Sequence, residues 1–196
     1  MPAAVVASVV SAYVDMHRRT LRVAEQLSEE QLVWRAAPGA LPIAFHLWHV
    51  ARWADHFQAT LPGMTPELGR RLGPAAQIWE QGGYAARWGF HAAALGTQAT
   101  GMEMDEALAA QLPWPPAVEL ITYLRQTFAA AERAVAALDD EQFVAPEQPQ
   151  PLTEGIWVEG SSVGDALLTH IVHTNRHLGM IECLRGLQGG SGTATV

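Results

Sequence analysis

Four stretches of this chain repeat their apolar residues at the spacing of an α-helix, and that periodicity limits the fold more than any other feature. Val10, Tyr13, Val14, His17, Leu21 and Ala24 mark the first, over residues 3–27. After a break at Pro38 and Gly39, Ile43, Leu47, Val50, Ala54, Phe57 and Leu61 line one face of a second, residues 43–61, with Pro42 where a first turn tolerates it. Pro115 and Pro116 open a third, residues 116–138, whose stripe is Ile121, Leu124, Phe128, Ala131, Val135 and Leu138. The fourth begins at Ser161 or Ser162 as N-cap, carries Asp165 in its first turn and runs to residue 187, before Gly189 and Gly190 stop it. With β signals nearly absent, these helices predict an all-α four-helix bundle, one domain over residues 1–188 with a disordered tail at 189–196.

Between the second and third helices lies a long connection, broken by glycine and proline and carrying Trp79, Tyr84, Trp88, Phe90, His91 and Trp114. A connection of that length is expected to form a lid or binding segment, with short helices at residues 74–81 and 105–112. Ser28 with Gln31 reads as a capping box opening a short turn. The run from Leu27 to Gln31 is echoed from Leu138 to Gln142, which suggests two related helix pairs.

Composition removes whole classes of function. Of the charged side chains, 20 are acidic and 12 basic, a formal net charge of -8 that repels phosphate backbones and anionic membranes. No nucleic acid and no membrane partner is expected. The apolar residues 2–14 have no basic residue ahead of them and run on into Asp15, His17, Arg18 and Arg19, as a helix rather than a leader or a span. All the basic side chains are arginine, so Schiff-base catalysis and a phosphate-loop lysine are excluded. Cys183 stands alone, which rules out an internal disulfide or a thiolate metal cluster and fits a cytoplasmic protein.

What the chain has in quantity is histidine. His46, His49, Trp53 and His56 share one stripe of the second helix, and His170, His173 and His177 share one face of the fourth. A single imidazole on an apolar face is usually a bonded core residue. Several together leave many ring nitrogens to satisfy, and a divalent metal ion satisfies three at once. His173 and His177, four apart, can reach the same ion. Spacing alone does not say which three bind.

Two segments resemble the DinB/YfiT-like superfamily of small metal-dependent enzymes. Pro42-Ile43-Ala44-Phe45-His46-Leu47-Trp48-His49-Val50-Ala51-Arg52-Trp53-Ala54-Asp55 is similar to the family's second helix, and His173-Thr174-Asn175-Arg176-His177-Leu178-Gly179 to its His-x-x-x-His-x-Gly motif. The resemblance implies a divalent ion, zinc or nickel, on His49, His173 and His177. Met180 stands where the family commonly has glutamine. His46 and His170 are then candidates for a fourth ligand or for residues supporting the ligands, with Trp53, Trp88 and Trp157 lining a pocket. Trp48 is expected on the bundle's outer surface, His17 and His56 at its core or the pocket edge, and His91 exposed.

The resemblance further implies a thiol S-transferase whose partners are a small-molecule thiol and an electrophile. For such a site, the charge of Arg52 or Arg87 is expected to hold the thiol's carboxylate. Two alternatives remain. A metal-dependent hydrolase would use Asp55 or Glu182 as general base, and a metal-binding stress protein would close the site with a fourth histidine. Leu168, Ile171, Val172 and Leu178, on the fourth helix away from its histidines, suggest a homodimer.

Overall fold

The computed structural model describes residues 3–150 and 158–193. The chain runs through α1 (Ala3–Ala24), α2 (Glu29–Val33), α3 (Ile43–Met64), α4 (Pro66–Leu72), α5 (Ile78–Gln81), α6 (Tyr84–Arg87), a 3-10 turn (Ala92–Ala94), α7 (Glu106–Ala109), α8 (Ala117–Val135), α9 (Asp140–Val144) and α10 (Val163–Leu187). Among the described residues there is no strand, only isolated bridges at Thr97 with Met102 and Pro146 with Ser162. The four long helices are those the periodicity marks. α3 packs on α8 and α10, and α1 packs on the same two, which closes a four-helix bundle.

Local chemistry sets the ends. α1 stops at Ala24, short of residue 27, because the N–H groups of Gln26 and Leu27 turn back on the carbonyls of Val23 and Ala24. Ser28 then accepts from the Gln31 N–H and starts α2 with a complete capping box. Asp139 does the same for α9, accepting from Gln142, so the sequence echo marks a structural one. α3 runs one turn beyond Leu61 with Pro62 inside it, until Thr65 caps α4 by accepting the Leu68 N–H at 3.1 Å. At the start of α10, Ser162 and Asp165 form a reciprocal capping box. Past it, Thr193 donates its N–H to the Glu182 carboxylate at 2.8 Å, so residues 189–193 bend back on α10 where a disordered tail was expected.

Nearly every residue of α3 is buried, which its single apolar stripe does not foretell. The connection is the reason. Trp48, expected on the outer surface, is fully buried against Trp79, Phe90 and Trp114 of that segment. Trp79, Tyr84 and Trp88 pack in turn on Tyr123 of α8, and the Trp88 indole donates to Glu119. These aromatics form a second layer of core behind α3 instead of roofing a site. Within the connection the two expected short helices are single turns, α5 and α7.

On α10, Leu178 is buried whereas Leu168 and Val172 are exposed. The single cysteine, Cys183, is free and exposed. No helix among the described residues is long and apolar enough to cross a membrane.

Candidate metal centre

Packing α3 against α10 brings their histidine faces together. The Nε2 atoms of His49 and His173 stand 3.0 Å apart, and the His177 ring centroid lies 4.6 Å from each of theirs. One ring nitrogen of each residue falls within 4.8 Å of the others. Among the described residues no other histidine, cysteine or carboxylate joins or rivals this group. Nitrogens bound to one tetrahedral zinc at about 2.0–2.1 Å sit about 3.3 Å from each other, so small shifts of these rings suffice to place an ion between them.

Protonation favours the same use. Burial lowers the pKa of His49 to about 3, aided by the neighbouring His173, that of His173 to about 4, and that of His177 to about 2, aided by His49. All three are neutral imidazoles at pH 7, the form that binds metal. His49 Nδ1 lies 2.5 Å from the Thr100 carbonyl, which can only accept, so the ring proton sits on Nδ1 and Nε2 keeps its lone pair, facing His173 Nε2. The donor set therefore fits a divalent ion in charge, number and spacing.

The other expected site residues fall in distinct places. His46 sets its Nδ1 3.0 Å from the Nδ1 of His177 and stands behind that ring as its hydrogen-bond partner. For His177 to turn an Nε2 lone pair toward an ion, it must be the donor in that bond. His170 is half-buried outside the group, its ring tilted against Phe57 at 4.2 Å and edge-on to Trp53. Burial pushes its pKa well down. Trp53, His56 and His170 line a cavity of about 600 Å³ together with His49 and His173. Among the described residues neither ring nitrogen of His56, nor the indole N–H of Trp53, has a partner. Trp88 is not on that wall, because it is committed to the aromatic layer behind α3, and Trp157 lies outside the described residues. His17 is a core residue whose Nδ1–H donates to Glu132 at 2.9 Å, and His91 is exposed.

The four expected auxiliaries are spent elsewhere. Arg52 and Asp55 are completely buried and paired at 3.0 Å, and Asp55 also accepts the N–H groups of Ile78 and Trp79 at 2.8 Å each. Neither reaches a substrate. Arg87 pairs with Glu119 at the surface, and Glu182 holds Thr193. The carboxylates that do line the cavity are Glu147 and Asp165. Partial burial raises the pKa of Glu147. Nothing in the sequence marks Glu147, Thr100 or Gly101, whose backbone passes beside the His49 ring, as part of the site, because only the chain's long-range path puts them there.

Fold and site together define a helical-bundle protein with a three-histidine centre suited to one divalent ion. A family model, the DinB superfamily, matches residues 12–181. The chain belongs to the DinB superfamily. No curated protein matches it.

Proposed function

We propose that this protein is a divalent-metal-dependent S-transferase, joining a low-molecular-weight thiol to an electrophile. One observation carries most of the weight: His49 and His173 belong both to the three-histidine group and to the wall of the 600 Å³ cavity. A species held beside the three nitrogens would border a space of the size small-molecule sites have. A divalent ion at that centre, zinc or nickel as the resemblance implies, would lower the pKa of a bound thiol toward neutrality. The chain's own residues would do the rest. Neutral imidazoles leave a divalent charge uncompensated and so favour an anionic thiolate, while Phe57, Met64 and Met102 give the electrophile apolar walls.

Hydrolysis is the second reading, and Glu147 favours it. A carboxyl group on the cavity wall whose pKa is raised by burial has the character of a general base, a role neither Asp55 nor Glu182 can fill. To separate the two, purified protein is loaded with zinc or nickel and offered thiols with a chromogenic electrophile, then ester and amide substrates. Thiol-dependent consumption above the metal-free control supports transfer. Turnover without thiol, lost in Glu147→Gln, replaces it with hydrolysis, and no turnover in either assay leaves a metal-binding protein.

The proposal extends to a cytoplasmic homodimer. Exposed Leu168 and Val172 beside an apolar groove lined by Val5, Val9 and Ile171 support two copies meeting along α1 and α10.

A further inference from the structure

Arg52 sits one turn beyond His49 on α3 with no exposure to solvent, and it uses all five of its N–H donors. Nη1 reaches Asp55 at 3.0 Å and the Tyr123 hydroxyl at 3.2 Å, and one Nη2 donor reaches Gln77 at 2.6 Å. The other two go to backbone. Nε donates to the Ala99 carbonyl at 2.8 Å and Nη2 to the Gln98 carbonyl at 3.0 Å. Both residues hold the left-handed backbone, with φ of 53° at Gln98 and 51° at Ala99, a conformation that costs non-glycine residues energy and needs outside support. The next carbonyl along the chain is that of Thr100, on His49 Nδ1.

Gly101 completes the approach. Its φ is +89°, and a Cβ there would stand 2.8 Å from the Trp48 ring and 3.2 Å from His49 Nδ1. The turn closes over the imidazole only because that position has no side chain. Gly101 N–H to Leu95 O at 2.8 Å and Thr97 N–H to Met102 O at 2.9 Å keep it shut.

We propose that Arg52 is a positioning residue for the metal centre: by gripping the Gln98 and Ala99 carbonyls, it seats the Thr100 carbonyl on His49 Nδ1 and so directs the Nε2 lone pair toward the ion. A free histidine side chain in water prefers its proton on Nε2, the tautomer that cannot bind metal through that atom. The grip reverses the preference before any ion arrives. This deepens the metal-dependent reading above, and its first arm needs neither metal nor turnover.

The test is imidazole nitrogen NMR on metal-free protein at pH 7.5, with His49 assigned by its loss in His49→Gln, followed by zinc titration. Wild type should carry the His49 proton on Nδ1. Arg52→Lys keeps a charge opposite Asp55 but loses the fork that spans both carbonyls. Gly101→Ala leaves the buried ion pair untouched and pushes the turn off the ring. Each variant should move the proton toward Nε2 and weaken zinc binding about 10- to 100-fold, with the circular dichroism of a folded bundle. A wild-type proton on Nε2 overturns the proposal whatever the variants do. So does a folded variant that keeps the Nδ1 proton, whether its zinc affinity is retained or lost. Failure of wild type to bind zinc counts against the metal-dependent reading instead, and leaves the tautomer result to decide the role of Arg52.

Discussion

Two flanks of α3, side by side along the helix, treat buried ionisable side chains in opposite ways, although the Trp48 indole N–H on the first also has no partner among the described residues. On the flank facing the connection, Arg52 and Asp55 have every donor and acceptor engaged, down to the backbone of Ile78, Trp79, Gln98 and Ala99. On the flank facing the cavity, His56 and the Trp53 indole are buried with no partner among the described residues. An unmade buried hydrogen bond costs stability, so the first flank is built to hold the chain and the second is left ready for something the cavity receives. The three-histidine centre lies between them. His49 takes its orientation from the connection and turns its other nitrogen to the cavity side.

The contrast breaks most sharply at Asp55. Asp55→Ala strips the buried guanidinium of its counter-charge and takes the acceptor from two backbone N–H groups, the Gln58 amide and the Tyr123 hydroxyl, and removing one member of such a pair costs about 3–5 kcal/mol. Thermal unfolding should fall by about 10 °C or more. A drop of only a degree or two would show that the network is not the anchor described here.

Acid should expose the cavity flank. Burial lowers the pKa of His56 to about 4 and lowers that of His170 and His17 as well, from an ordinary 6.5. The unfolded chain therefore takes up these protons first as pH falls, and protonation pulls the equilibrium toward unfolding. Metal-free protein should lose stability steadily from about pH 6.5 down to 4, read as the urea midpoint. A flat profile over that window would contradict buried neutral imidazoles.

His56→Leu sharpens the comparison from the other side. It removes two nitrogens that have no partner among the described residues, so unfolding temperature should hold or rise by a few degrees, the reverse of Asp55→Ala. A clear loss would mean that His56 is satisfied after all. The smallest effect belongs to the proposed dimer: Val172→Asp should convert a light-scattering dimer into monomer while leaving the helix content unchanged. A wild-type monomer at micromolar concentration would refute that contact.

How much of this was legible in the sequence follows the range of the interactions. Helical period and caps are local, so the four long helices, a serine cap at 161 or 162 and the pairing of His173 with His177 could be read directly. His49 required the resemblance, since spacing left it equal to His46. Trp48, Trp88 and Arg52 were misplaced for one reason: all three depend on how residues 73–116 fold back over α3, and no periodicity records that path. The arginine expected to greet a substrate is instead the one that holds the turn over His49, and the glycine that permits the turn, Gly101, carries no signal until its neighbours are in place.

Calorimetric titration of metal-free protein with zinc tests the central claim most directly. Wild type should take up one equivalent, and His49→Ala, His173→Ala and His177→Ala should each abolish stoichiometric binding while His170→Ala retains it. Zinc uptake that survives the triad variants, or that disappears only in His46→Ala or His170→Ala, would place the metal centre elsewhere.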